Sequence, residues 1–345
     1  MQQLWLVRLG RNSEFEAAAL EDSVLTIGFN ITDDLKERKS RDDLLRLMEN
    51  LYPNSKPASQ RNFAAQVNQF VNTMKVGDIV VSPLRTSGKI AIGEVTGSYR
   101  QDASGRPIRP VKWLRRDVDR TAFKQDLLFS FGAIMTVCEV KRNDALKRVL
   151  TVAATGVDGG DGGKAVLRTQ GDATGDLTAE TGEVDLEVVA RDQIERRIAS
   201  SFAGHDFTRL IAAILQAQGY VTRVSPPGPD NGVDILAGRG ATGFESPRIV
   251  VQVKSGDTVV DQPTLQSLIG CIADTHADQG LIVSWSGFKS TVERRTNELF
   301  FRVRLWGREE IVTALFNVYE ALPEEIRAEL PLRRTWTLVP DESAS

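Results

Sequence analysis

"GPDNGVDILAG" at residues 228–238 is followed, across a Gly-rich gap, by "RIVVQVKSG" at 248–256. Both stretches are rich in β-branched residues and bounded by Gly, Pro, Asn and Ser, so they read as neighbouring strands. Side chains alternate along a strand, which puts Gln252 and Lys254 on one face and Val251 and Val253 on the other. Asp234 follows the tight "PDNG" turn and opens the first strand, where its carboxylate can meet Lys254 at a shared sheet edge. An acid, an amide and an ammonium converging on one place can hold a hard divalent cation and a water. Mg2+ prefers oxygen ligands and keeps several of its own waters, so a carboxylate, a backbone carbonyl such as that of Val253 and a substrate phosphate suffice. The expected metal set is Asp234, Gln252 and Val253, with Mn2+ able to replace Mg2+. Lys254 would orient or deprotonate the water and counter developing negative charge, which is the chemistry of phosphodiester hydrolysis.

Working outward, "ARDQIERRIASSF" and "DFTRLIAAILQAQGY" have helical spacing, with Gly219 as a helix stop. "VTRVSPPG", "QGLIVSWSG" and "RVRLW" add strands, while "QPTLQSLIGCIADTH" and "KSTVERRTNELFF" add helices. The tail "YEALPEEIRAELPLRRTWTLVP" is expected to pack along them. The order describes an α/β domain over 191–345, with a central mixed sheet flanked by helices. From "FTRLIAAILQAQGY" through "PRIVVQVKSG" to "LIVSWSGF" the chain resembles the Mrr-type restriction endonuclease catalytic domain, over about residues 200–315.

That resemblance implies a PD-(D/E)xK nuclease core, whose third motif position is commonly Gln, and it assigns catalysis to Asp234, Gln252 and Lys254. Asp230 is a candidate additional acid. Many relatives carry Glu directly after the aromatic residue of the first helix; here Thr208 follows Phe207, and Asp206, one position before it, is the other candidate acid. The implied substrate is double-stranded DNA. Cutting both strands needs two active sites, hence a homodimer. His276 is a candidate base, and Arg294 and Arg295 are candidate phosphate contacts.

Toward the amino terminus, "LWLVRLG", "VGDIVVSPL", "GKIAIGEVTGSY", "IRPVKWL" and "FGAIMTVCEV" read as strands around the helices "RDDLLRLMENLYP" and "NFAAQVNQFVNTM". The expectation is a small curved α+β domain over 1–150. Its "MKVGDIVVSPLRTSGKIAIGEVTGSY" resembles the barrel half of an EVE or PUA-type domain, which implies a pocket for a flipped, modified base, modified cytosine among the candidates. Pocket candidates are Trp5, Phe29, Ser82, Trp113 and Phe131. Arg106, Arg109, Lys112, Arg115 and Arg116 form a basic cluster able to follow a phosphate backbone. The stretch "TGVDGGDGGKAVLRTQGDATGDLTAETGEVD" has few large apolar residues and sets a flexible linker over 151–190.

Composition narrows the class of protein. The 345 residues are 41% hydrophobic and 26% charged, as in an ordinary globular protein, and the net charge of -3 excludes a global cationic field. Cys138 and Cys271 sit in apolar stretches and offer no disulfide framework; with His205 and His276 the only histidines, a multi-histidine centre is excluded. No apolar run approaches a membrane span, and the expected location is the cytoplasm. The leading expectation is a modification-dependent, type IV-like DNA endonuclease acting against foreign DNA. Two alternatives stay open: a decayed nuclease that only binds DNA, and a nuclease acting on RNA or unmodified DNA.

Overall fold

The computed structural model describes residues 2–10, 14–85, 87–161, 184–226, 232–256, 258–295 and 297–336. Two compact units share the chain, one built on Met1–Gln193 and the other on Ile194–Thr335.

The first unit contains β1 (Leu4–Val7), α1 (Glu16–Asp22), β2 (Val24–Thr26), α2 (Arg41–Leu51) and α3 (Pro57–Asn68), then β3 (Ile79–Pro83), β4 (Lys89–Val95), β5 (Arg100–Gln101) and β6 (Pro107–Asp119). It closes with α4 (Gln125–Phe131), β7 (Val137–Glu139), α5 (Ala145–Thr155) and the start of α6 (Leu186–Ser201). Its strands form one mixed sheet in the order β2-β6-β4-β3-β1-β7, with β5 on β6; β1 and β3 are parallel and the other pairs antiparallel. Strand alternation sorts the side chains into two cores. Trp5, Val7 and Val80 join Phe63 and Met48 of α3 and α2, whereas Leu4, Leu6 and Val81 join Leu127 of α4 and Val149 of α5. Helix α2 starts because the Ser40 hydroxyl accepts the Asp43 N–H, and it ends just before the residue that precedes Pro53, where proline disfavours helical backbone.

The expected linker is folded at both ends. Helix α5 runs to Thr155 and buries Val152, so the unit extends past residue 150. On the far side Val184 pairs with Ala133, Asp185 N–H donates to the Gly132 carbonyl at 2.8 Å, and Val189 is buried. Isolated valines at the ends of a polar stretch are enough to anchor it, which composition averaged over the segment conceals. The centre of that stretch, 162–183, lies outside the described residues.

In the second unit, whose border falls inside α6, come α7 (His205–Ala217), β8 (Val221–Val224), β9 (Ile235–Arg239), β10 (Glu245–Lys254), α8 (Gln262–Asp274) and β11 (Gln279–Ser284). They are followed by α9 (Ser290–Glu293), β12 (Val303–Trp306), α10 (Arg308–Val318) and α11 (Glu324–Glu329). The sheet order is β12-β11-β10-β9-β8, parallel from β10 to β12 and antiparallel from β8 to β10. Strand β10 is central, and its second half, Val250–Val253, is buried on both faces, in keeping with its valine-rich sequence. Val251 and Val253 pack with Phe207, Leu210 and Ile214 of α7 and with Ile311 of α10, while Val250 packs with Leu268 and Ile272 of α8. The helix expected over "KSTVERRTNELFF" is only the four residues of α9, with turns beyond. Among the described residues no helix is long and apolar enough to cross a membrane.

Candidate active site

Register places Asp234, Gln252 and Lys254 on one face of the sheet at the junction of β9 and β10. The pairing Val251↔Ile235 puts Asp234 one step on, across from Gln252, and antiparallel neighbours directly opposite share a face. Backbone bonds hold Asp234 there: its N–H donates to the Val251 carbonyl at 3.0 Å and its carbonyl accepts from Ser225 N–H at 2.9 Å. Its carboxylate Oδ2 accepts the Val253 N–H at 2.8 Å, so the acid lies against the backbone between Gln252 and Lys254. Lys254 is half-buried, paired with Ser284 of β11, and its carbonyl accepts the Trp285 N–H.

Gln252 is only 4% exposed, and its Oε1 is buried with no hydrogen-bond partner. Its amide nitrogen is packed by the turn before β9 and by α8: a Cβ placed on Gly232 would lie 3.1 Å from Gln252 Nε2 and 3.1 Å from Ser267 Oγ. Buried acceptors are nearly always satisfied, so a partnerless carbonyl oxygen on the residue opposite Asp234 suits a divalent cation. The described residues hold no cluster of three or more His, Cys, Asp or Glu. One carboxylate with neutral oxygens suits a hard, hydrated ion such as Mg2+ rather than zinc.

Asp206 does not join this group. It is exposed and pairs at 3.4 Å with Arg209, which also binds Glu329 at 2.8 and 3.0 Å, while the neighbouring Thr208 is buried. The reason is helical: two residues of offset turn the side chain by about 200°, to the other side of α7. Asp230 lies outside the described residues. His276 follows the end of α8, just before β11 starts at the end of the sheet away from Lys254, so it is no base for this centre. Arg295 is occupied by Glu298, with contacts of 3.0 and 2.9 Å.

The expected base pocket is not assembled from the residues picked for it. Trp5 is fully buried with its indole N–H on Asp78 at 2.8 Å, Phe29 packs on Phe63 at 5.7 Å, and Phe131 lies edge-on to Phe123 at 5.3 Å in the other core. Ser82 is wholly buried. All four are structural, because a small two-faced sheet needs its large side chains for its own interior. Trp113 is half-buried and donates to the Ala19 carbonyl at 3.1 Å, behind α1.

In front of that helix is a cleft of about 300 Å3, bounded by α1, β2 and the β5–β6 hairpin. Phe15 supplies an aromatic wall, and Asp22, Arg100, Gln101, Asp102 and Arg106 supply polar edges. The Arg106 guanidinium lies 5.7 Å from the Phe15 ring centre and donates to Asp102 at 2.8 Å. Phe15, Arg100 and Gln101 escaped the sequence reading because they are far apart in the chain and carry no spacing signal. The basic cluster splits by strand face: Lys112, Arg115 and Arg116 are exposed, but Arg109 is 4% exposed and points inward. Burial pushes the Arg109 guanidinium down to about 10, partly opposed by the charge of Asp78, and its Nε and Nη1 have no partners. A phosphate cannot reach it.

The second unit is thus a mixed α/β sheet sandwiched by helices, its central strand ending in Gln-x-Lys across from an aspartate. Residues 199–315 match the restriction endonuclease family Mrr_cat, and this part of the chain is a restriction endonuclease domain. Residues 5–137 match a domain of unknown function, DUF8426. No curated protein matches the sequence. Distant likenesses among solved structures include the DNA modification-dependent restriction endonuclease AspBHI, at 10% identity over 95% of this chain and 84% of that one, with a TM-score of 0.33. MspJI restriction endonuclease in complex with a 27-mer oligonucleotide is 13% identical over 86% and 70%, with a TM-score of 0.30. A protein of unknown function, AF1548, is 14% identical over 36% and 77%, with a TM-score of 0.25.

Proposed function

We propose that the protein is an Mg2+-dependent endonuclease that hydrolyses phosphodiester bonds of modified double-stranded DNA, a type IV-like restriction enzyme acting against foreign DNA in the cytoplasm. The observation that supports this reading is the buried, unpartnered Oε1 of Gln252 at the strand position directly opposite Asp234, within the stretch that matches a restriction endonuclease family. Asp234, Gln252 Oε1 and the Val253 carbonyl would hold the ion, and Mn2+ would serve in its place. A divalent cation bound there supplies charge neutralisation at the phosphate and a more acidic water. The Lys254 ammonium, two residues from Gln252 on the same face, orients that water and offsets charge as the new P–O bond forms and the bridging P–O bond breaks. Two strands need two such centres, so the working form is a homodimer.

The first unit is the reader, EVE- or PUA-like in kind. Its cleft of about 300 Å3 has the size class of a small-ligand site, with Phe15 for stacking and Gln101 and Arg106 for the polar edge of a flipped base, modified cytosine in the first instance. Lys112, Arg115 and Arg116 on the exposed side of β6 suit phosphate contacts. Asp234→Ala and Lys254→Ala should abolish cutting while duplex binding persists. Cutting at the wild-type rate by both variants would end the assignment. Buried Thr208, where relatives carry Glu, favours one rival: a protein that binds DNA without cutting it, which tight binding with no cleavage by the wild type would establish.

A further inference from the structure

We infer that the turn between α9 and β12 is a second nucleic-acid contact, with Arg302 and Arg304 on phosphates and Phe301 against a base or groove edge; this rests on the nuclease reading above. Phe301 is 87% exposed and Phe300 47%, their rings edge-on at 5.1 Å. Side chains so placed add little to folding, and adjacent exposed aromatic rings mark surface kept for a partner. The Arg304 guanidinium lies 3.7 Å from the Phe300 ring centre and donates to the Phe300 carbonyl, so cation and ring form one platform.

Charge decides which partner fits. Arg302 is exposed and adjoins Phe301, and Arg294 is exposed at the end of α9. Among the described residues neither of these, nor Arg304, pairs with an acid, whereas Arg295 in the same turn is neutralised by Glu298 at 2.9 Å. A two-fold contact between copies through this turn would set these cations against their own copies. A polyanion such as the DNA duplex suits them, since arginine meets phosphate as a planar fork and a phenyl ring can pack against the sugars and groove edge.

Position makes the contact distinct from the active centre. Val303 pairs with Gly280 at the start of β11, whereas Lys254 pairs with Ser284 at its end. The turn is therefore roughly 13 Å along the strands and about 10 Å across them from Lys254. Substitutions in it leave Asp234, Gln252 and Lys254 in place.

The test is fluorescence anisotropy of a labelled, unmodified duplex of about 30 base pairs, titrated with full-length protein at several salt concentrations. Arg302→Ala with Arg304→Ala should flatten the slope of log affinity against log salt by about 1.8 and weaken binding on the order of tenfold per lost phosphate near 0.1 M salt. The Arg302→Lys, Arg304→Lys form should keep the slope, which separates lost charge from lost fold. Phe301→Ala should weaken binding severalfold with the slope unchanged, because the ring carries no charge. Wild-type affinity and slope in the double alanine variant would overturn the inference while leaving the nuclease reading intact. So would a change in sedimentation of Phe301→Ala without a change in binding, which would make the turn a contact between copies. No duplex binding by the wild type at low salt would remove the DNA reading itself, and this inference with it.

Discussion

The side-chain carbonyl oxygen of Gln252 is buried without a hydrogen bond, and an unmet buried acceptor costs about 1–3 kcal/mol. Gln252→Leu should therefore unfold at the same temperature or a higher one, yet lose at least roughly a hundredfold in Mg2+-dependent cleavage. Gln252→Glu should still cut. Parallel loss of melting temperature and activity in the leucine variant would make Gln252 a packing residue only. In the first unit, burial opposes the Asp158 charge, but hydrogen bonds from Arg148 and from the N–H groups of Lys124 and Gly160 outweigh it and hold the carboxyl at about 2, below its ordinary 3.8. A depressed carboxylate stabilises the fold above its unfolded value and loses that contribution as pH falls through the folded one. Urea unfolding between about pH 5 and pH 2 should show roughly 2 kcal/mol lost in the wild type and a flatter profile in Asp158→Asn. That Gln252 and Lys254 share one face of β10 was legible in the sequence because the strand period is two, whereas the place of Asp234 opposite Gln252 depends on register. The cleft was not, because Phe15, Arg100 and Arg106 come together only through the β5–β6 hairpin and α1.

At the scale of elements, the proposed centre depends on the β9–β10 hairpin holding its register. Gly238 makes this possible: a Cβ there would sit 1.9 Å from the Gly243 carbonyl oxygen, and backbone cannot yield as a flexible side chain can. Gly238→Ala should cost more than about 4 kcal/mol, or unfold the second unit outright, as read by thermal melting. A melting temperature within a few degrees of wild type would contradict the tight approach. Strands and long helices were readable from their periods, and the tight Gly turns from composition. Helices α4 and α5 were not anticipated, since seven residues barely show a helical period and α5 runs into the Gly-rich stretch. The expected length of α9 failed for the opposite reason: its formers favour helix, but after Val292 the chain offers no apolar anchor until Leu299, and the helix stops at Glu293.

For the molecule as a whole, sequence gave two folded parts around a Gly/Asp-rich stretch, and contacts divide the chain at Gln193 and Ile194. The border was legible only to within the linker, because what ties α6 to the first unit is a buried ion pair rather than composition: Arg120 and Asp192 meet at 2.5 and 2.7 Å. A reader in one unit and a cutting centre in the other would make cleavage conditional on what the reader accepts. The central claim is tested by Mg2+-dependent cleavage of matched plasmids carrying unmodified, methylated or hydroxymethylated cytosine, with Lys254→Ala alongside. The account predicts cutting of a modified plasmid alone, abolished in the variant and by chelation of the metal. Equal cutting of all three plasmids would contradict the reader, and no cutting of any, with tight binding to one, would contradict the nuclease.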